Sequence, residues 1–167
     1  MKVKFAPWRR TYLENGAVQG CVFCEGDSLN QEIVVYKGST TFVTMNLYPY
    51  TSGHLMVIPY RHLSDFSELS LEEKSEMFSL LDISIKALKE YLNPGGFNVG
   101  MNIGAAAGAG IAAHLHLHVV PRWNGDTNFM TTIGEVRVIP LDIQKAAAEL
   151  RIVFKNLLSG IQNQQQS

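Results

Sequence analysis

The sequence predicts an α+β fold built on an antiparallel sheet. Three observations lead there: short β-branched and aromatic runs joined by turn residues, one long amphipathic helix among them, and connections too short for repeated parallel crossovers. Residues 1–20 mix aromatic and basic side chains (Trp8, Arg9, Arg10, Tyr12) without a clear period. Glu32–Tyr36 and Thr40–Met45 flank Lys37-Gly38-Ser39, which predicts a hairpin. A turn-rich stretch, 46–53, leads into His54–Pro59, an apolar run closed by proline that predicts a buried strand.

Ser70-Leu-Glu-Glu73 has the form of a capping box, and it opens a helix that runs to about Leu92. Met77, Leu80, Leu81, Ile85, Leu88 and Leu92 recur at spacings of three and four, marking one buried face. Asn93-Pro94-Gly95-Gly96 ends it. Phe97–Ile103 and Leu115–Arg122 predict two further strands, joined by a Gly/Ala loop. A C-terminal helix is expected over Ile143–Leu158, with Gln162–Ser167 as a frayed tail.

The chain has 167 residues and no visible repeat or linker, so a single domain over 1–160 is expected, with its core at about 20–140 and a disordered tail at 161–167. A net charge of −1 argues against broad electrostatic capture of nucleic acid or of an anionic membrane. Any anion must be held by a local site. MKVKFAPWRR has no apolar segment of the kind a secretory signal needs, and no run approaches the roughly 18 apolar residues of a membrane span. A cytoplasmic location is the resulting expectation.

Cysteine and histidine are scarce and unevenly placed. The two cysteines form Cys21-Val-Phe-Cys24, a spacing that suits half of a zinc site or a redox pair. Of five histidines, three fall in His114-Leu-His116-Leu-His118. In a strand, residues i, i+2 and i+4 share a face at intervals of about 6.6 Å, so this alternation predicts three imidazoles on one side and Leu115, Leu117 and Val119 in the core. Such a face offers metal ligands, or a nucleophile with phosphate-holding neighbours.

The string His114-Leu-His116-Leu-His118-Val119-Val120 resembles the HxHxHxx signature of the histidine triad (HIT) superfamily. The resemblance spans roughly residues 20–140. It takes in Asn46…Gly53-His54-Leu-Met-Val-Ile-Pro59, Gly100-Met-Asn102-Ile-Gly104, and Pro121-Arg122-Trp123-Asn124-Gly125-Asp126-Thr127-Asn128-Phe129. The last segment is similar to the branch holding dinucleoside polyphosphate hydrolases and diadenosine tetraphosphate phosphorylases. The resemblance implies a HIT-like antiparallel sheet of about five strands, with one long helix and a C-terminal helix.

It also implies a reaction: His116 attacks the α-phosphate of a nucleotide, and water or orthophosphate resolves the nucleotidyl-histidine. His118 and His54 would share the catalytic site, while Asn46 and Asn102 match positions contacting ribose or phosphate. In the loop, Gly104 and Gly110 let backbone N–H groups approach a phosphate chain. Many family members carry Ser or Gln where this chain has Gly110, so a side-chain donor is missing there. Cys21, Cys24, His62 and His114 make a Cys2His2 set suited to a structural zinc, and they resemble the zinc site of a subset of the superfamily. Mg²⁺ is expected only in company with a polyphosphate substrate.

Trp123, Phe129 and Trp8 are candidates for base stacking or subunit contact, and Arg122 and Arg137 for phosphate binding. A homodimer with the sheet continued across its interface is what the resemblance implies. The competing readings are a nucleoside phosphoramidate hydrolase, a nucleotide-binding regulatory protein with negligible turnover, and a hydrolase using a metal on the triad face.

Overall fold

The structure, a computed structural model, describes residues 21–24, 31–127, 133 and 141–164. Trp8, Arg9, Arg10, Asn128, Phe129, Arg137 and the last three residues lie outside the described part. Within it, β1 (Val34–Lys37) and β2 (Thr41–Met45) form the expected hairpin, and β3 (Leu55–Pro59) returns beside β2. The helix α1 (Leu71–Leu92) follows, then β4 (Gly96–Met101), β5 (Leu117–Arg122) and α2 (Ile143–Gln164). The sheet has five strands in the order β1-β2-β3-β5-β4, and every neighbouring pair is antiparallel.

The local reasons match the sequence. Ser70 Oγ accepts from Glu73 N–H while the Glu73 carboxylate accepts from Ser70 N–H, completing the capping box of α1. Asn93 closes the helix in the left-handed region at φ 45°. Glu76, one turn into α1, reaches the β1–β2 turn, where its carboxylate accepts from the N–H groups of Ser39, Thr40 and Thr41 at 2.6–2.8 Å. That turn therefore docks on the helix by charge-assisted bonds rather than by packing alone.

The sheet has two unlike faces. Val43, Met45, Leu55, Val57, Leu117 and Val119 pack against Met77, Leu80, Ile83, Ala87 and Leu88 of α1 and Ala146, Ala147, Leu150 and Phe154 of α2 in one buried cluster. The opposite face carries a second, smaller cluster of Phe42, Met56 and Ile58, with Phe23 packed on it. Antiparallel register aligns Thr44, Met56, His118 and Gly100 across four strands, so the functional face is a row of directly opposed residues.

Several boundaries differ from expectation: β1 starts at Val34 rather than Glu32, because Gln31–Ile33 form a 3-10 turn, and β4 stops at Met101 rather than Ile103. β5 begins at Leu117, so His114 and His116 precede the ladder instead of lying within it. Leu115 N–H is taken by the Leu63 carbonyl at 2.7 Å, and that bond replaces strand pairing there. The C-terminal helix continues past Leu158 to Gln164, into the segment expected as tail. Among the described residues, no helix is long and apolar enough to cross a membrane.

Candidate active site and metal centre

Four histidines converge at the start of β5, and their hydrogen bonds decide which ring nitrogen carries each proton. The Nδ1 of His116 lies 2.8 Å from the His114 carbonyl oxygen. A carbonyl only accepts, so this nitrogen donates and Nε2 keeps its lone pair. In the second chain, Tyr50 N–H donates to His54 Nδ1 at 3.1 Å. His54 Nε2–H then donates to His118 Nδ1 at 2.9 Å, which leaves the proton of His118 on Nε2. The His116 and His118 ring centroids are 4.7 Å apart, so a lone pair and an N–H donor sit side by side.

Burial holds these rings neutral. His54 is fully buried, and its pKa is lowered to about 3, first by loss of solvent and then by His118 and His116. Burial, with His116 second, lowers that of His118 to about 4. His116 is also held below the ordinary imidazole value by burial, against the opposing effect of its bond to the His114 carbonyl. A neutral imidazole is the form that can attack phosphorus.

His114 faces another group. Its Nε2–H donates to the Pro59 carbonyl at 2.9 Å, which leaves the Nδ1 lone pair aimed at Cys21 Sγ (3.2 Å) and Cys24 Sγ (3.3 Å). His62 Nδ1 lies 3.2 Å from Cys24 Sγ. The four ligating atoms of Cys21, Cys24, His62 and His114 all fall within 4.8 Å of one another. With Zn–S near 2.3 Å and Zn–N near 2.0–2.1 Å, a tetrahedral ion requires S···N separations of roughly 3.5 Å. The donor set and its spacing fit a zinc ion.

The remaining expected residues divide. Asn46 is tied to the site, its Nδ2 3.3 Å from His54 Nδ1 and its Oδ1 accepting from Tyr48 N–H at 2.9 Å. Asn102 lines a groove that also includes His118. Gly104 takes φ +79° where the chain enters a short 3-10 turn, Ala105–Ala107; Gly110 is exposed four residues before His114. Trp123 sits just beyond β5, five residues or about 16 Å of extended chain from His118. Arg122 is held bidentately by Asp126, at 2.6 and 2.8 Å, with a third bond to Asn98 Oδ1 at 2.6 Å.

Two aromatic residues went unread in the sequence. Phe23, between the cysteines, has its ring centroid 5.4 Å from those of both His114 and His116. Tyr50 lies 4.7 Å from His54 and 5.7 Å from His118. A Tyr four residues ahead of a histidine in a turn-rich stretch was the available signal, and by itself it says little.

Residues 28–125 match the family model of the HIT domain. The chain belongs to the HIT family. Among HIT relatives, AP-4-A phosphorylase of Mycobacterium tuberculosis (strain ATCC 25618 / H37Rv) is 42% identical over 147 residues, covering 81% of this chain and 75% of that protein. Bis(5'-adenosyl)-triphosphatase of Saccharomyces cerevisiae (strain YJM789) is 31% identical over 93 residues, covering 55% of this chain and 45% of the relative. The crystal structure of a Zn-bound histidine triad family protein from Mycobacterium smegmatis superposes with a TM-score of 0.69 at 31% identity, covering 84% of this chain and 97% of that one. The five-stranded antiparallel sheet with two helices is the HIT fold of this neighbour.

Proposed function

We propose that this HIT-family enzyme cleaves dinucleoside polyphosphates, such as diadenosine tetra- or triphosphate, through a nucleotidyl-His116 intermediate. The observation that carries the reading is the 2.8 Å bond from His116 Nδ1 to the His114 carbonyl, which frees Nε2 for attack. The names of the phosphorylase and triphosphatase relatives support the substrate class.

With diadenosine tetraphosphate, His116 Nε2 forms a bond to the α-phosphorus and the bridging P–O bond breaks. The departing oxygen keeps the electron pair as a phosphate oxyanion, stabilised by the hydrogen bond that His118 Nε2–H donates to it, so ATP leaves with no proton transferred. Asn46 and Tyr50 N–H hold His54 in the tautomer that keeps this donor in place. In the second step the P–N bond breaks as an acceptor oxygen attacks phosphorus: orthophosphate yields ADP, water yields AMP. Asn102, Gly104 and Gly110 are assigned to the nucleotide and its phosphates.

Cys21, Cys24, His62 and His114 are assigned to a structural zinc, supported by their spacing and by the Zn-bound neighbour. When bound, such an ion would cross-link the segments that carry these four side chains. His114 then both ligates and presents the carbonyl that orients His116. A homodimer through the free edge of β4 is also part of the reading, since β4 pairs only with β5 among the described residues.

Product analysis by ion-exchange chromatography, with diadenosine tetraphosphate in the presence and absence of orthophosphate, tests the reaction. ADP plus ATP only with phosphate identifies a phosphorylase; AMP plus ATP in both identifies a hydrolase. No product in either reaction overturns the reading.

A further inference from the structure

A groove of about 480 Å³ opens on the functional face beyond His118, within the roughly 300–1,000 Å³ range of small-molecule sites. His118, Val120 and Arg122 stand at alternate positions of β5, so the groove follows the strand for about 13 Å. The facing residues of β4 are Gly100, Asn98 and Gly96, paired with His118, Val120 and Arg122 respectively. Two of these three have no side chain, and a Cβ built at Gly100 or Gly96 meets nothing within 4 Å. The space exists because β4 is stripped of bulk along the row facing the triad strand.

Beyond His118 and Asn102, which are assigned to the phosphates above, its lining offers little to an anion. Among the described residues Arg122 is its only cationic side chain, and the bidentate contact with Asp126 balances that charge. The bond to Asn98 fixes the guanidinium plane. At the other end stands the ring of Tyr50, 42% exposed and tilted by 35° and 39° to the rings of His54 and His118, while Val120 gives an aliphatic floor. An aromatic wall, an apolar floor and a planar, charge-balanced guanidinium with N–H donors to spare favour a flat heteroaromatic base with its ribose.

The groove also lies on the departing side. Phe23 closes on His116 from the Met56 side of the sheet face, whereas the groove begins at His118, the hydrogen-bond donor assigned to the leaving oxygen. We infer that this groove is a second nucleoside subsite, holding the nucleoside at the far end of the leaving group and making the protein selective for dinucleotides over mononucleoside polyphosphates. The inference rests on the reaction proposed above for His116.

Dissociation constants for diadenosine tetraphosphate and adenosine 5'-tetraphosphate, which share the phosphate chain and differ by one nucleoside, test it by titration calorimetry. The measurements use the non-cleaving His116→Ala protein, with and without Gly100→Leu, and with Gly100→Ala as a smaller step. The dinucleotide is expected to bind at least about tenfold more tightly, an advantage that Gly100→Leu reduces to within roughly twofold and Gly100→Ala reduces less. Equal affinities at the outset, an advantage untouched by Gly100→Leu, or equal weakening of both ligands would each overturn the subsite. Failure of the unsubstituted enzyme to cleave diadenosine tetraphosphate would overturn the reaction instead, and the two affinities would still judge the groove.

Discussion

At His54 an imidazole is fully buried and yet fully bonded: Nδ1 accepts from Tyr50 N–H, and Nε2–H donates to His118. A proton added to His118 Nδ1 would put donor against donor at the 2.9 Å contact, one added to His54 Nδ1 would do so against Tyr50 N–H at 3.1 Å, and either would place a charge where solvent is excluded. The lowered values, about 3 for His54 and about 4 for His118, follow from that burial. Because they lie below the free imidazole value, the unfolded chain binds more protons between about pH 3 and pH 6.5. Stability from the pair is complete above pH 6.5 and is lost as the pH falls toward 4. Each ring adds at most about 1.4 kcal/mol per pH unit over its window. Urea midpoints measured from pH 7.5 to 4.5 should decline below pH 6.5, and His118→Gln should decline less steeply from a lower start. Parallel profiles for the two proteins would sink the assignment of neutral, coupled rings. The sequence made the histidines visible through their alternation, but not these protonation states. Those depend on the Tyr50 backbone N–H and the His114 carbonyl, groups that every residue type except proline carries.

The Cys21–Cys24 turn packs against the triad through Phe23 and is closed by the Cys24 N–H bond to the Cys21 carbonyl at 2.9 Å. It meets two other segments. One is the exit of β3, where Arg61 is clamped on α1 by Glu73 and by the Glu68 carbonyl, with His62 beside it. The other is the approach to β5, where His114 and Leu115 bond back to Pro59 and Leu63. A metal ion would cross-link all three segments, and its removal should loosen them together. Purified protein is expected to hold about one zinc per chain, and Cys21→Ser to lose it. Chelation should lower Tm by roughly 2–4 °C for each kcal/mol of stability lost. Metal-free protein with an unchanged Tm on chelation would refute the structural site. This region also shows how far sequence patterns carry. Strict alternation placed His114 and His116 in a strand, yet the chain bonds sideways to Leu63 before the ladder starts at Leu117. The period of two was real, but the neighbours that ended the pairing lie more than fifty residues away in sequence. By contrast α1, specified by its own cap and periodicity, appeared at Leu71–Leu92 as read.

For the whole molecule, the question left by the sheet is what covers β4. Helices α1 and α2 bury the face beneath β2, β3 and β5, but the β4 row on that side is covered unevenly: Phe97 and Met101 are half-buried and Val99 is 43% exposed. Ile103, just past the strand, is 44% exposed. An apolar strand with one edge unpaired among the described residues is a template for another strand, and monomers blunt such edges with charge, proline or bulges. β4 reads Gly-Phe-Asn-Val-Gly-Met, with none of these, whereas β1 at the other edge carries Lys37 and a bulge between Val34 and Tyr36. The asymmetry favours pairing through β4 with a second copy, whose two-fold operation would run the sheet on as antiparallel strands. Sedimentation at micromolar concentration should give twice the chain mass, and Val99→Lys, which sets like charges against one another across that axis, should give the single-chain mass with β5 and the triad intact. A monomer for the unsubstituted protein, or a dimer indifferent to Val99→Lys, would exclude this edge. The sequence offered the strand and its apolar residues; that it lies at the border of the sheet follows from β5 entering between β3 and β4, which only the topology reveals.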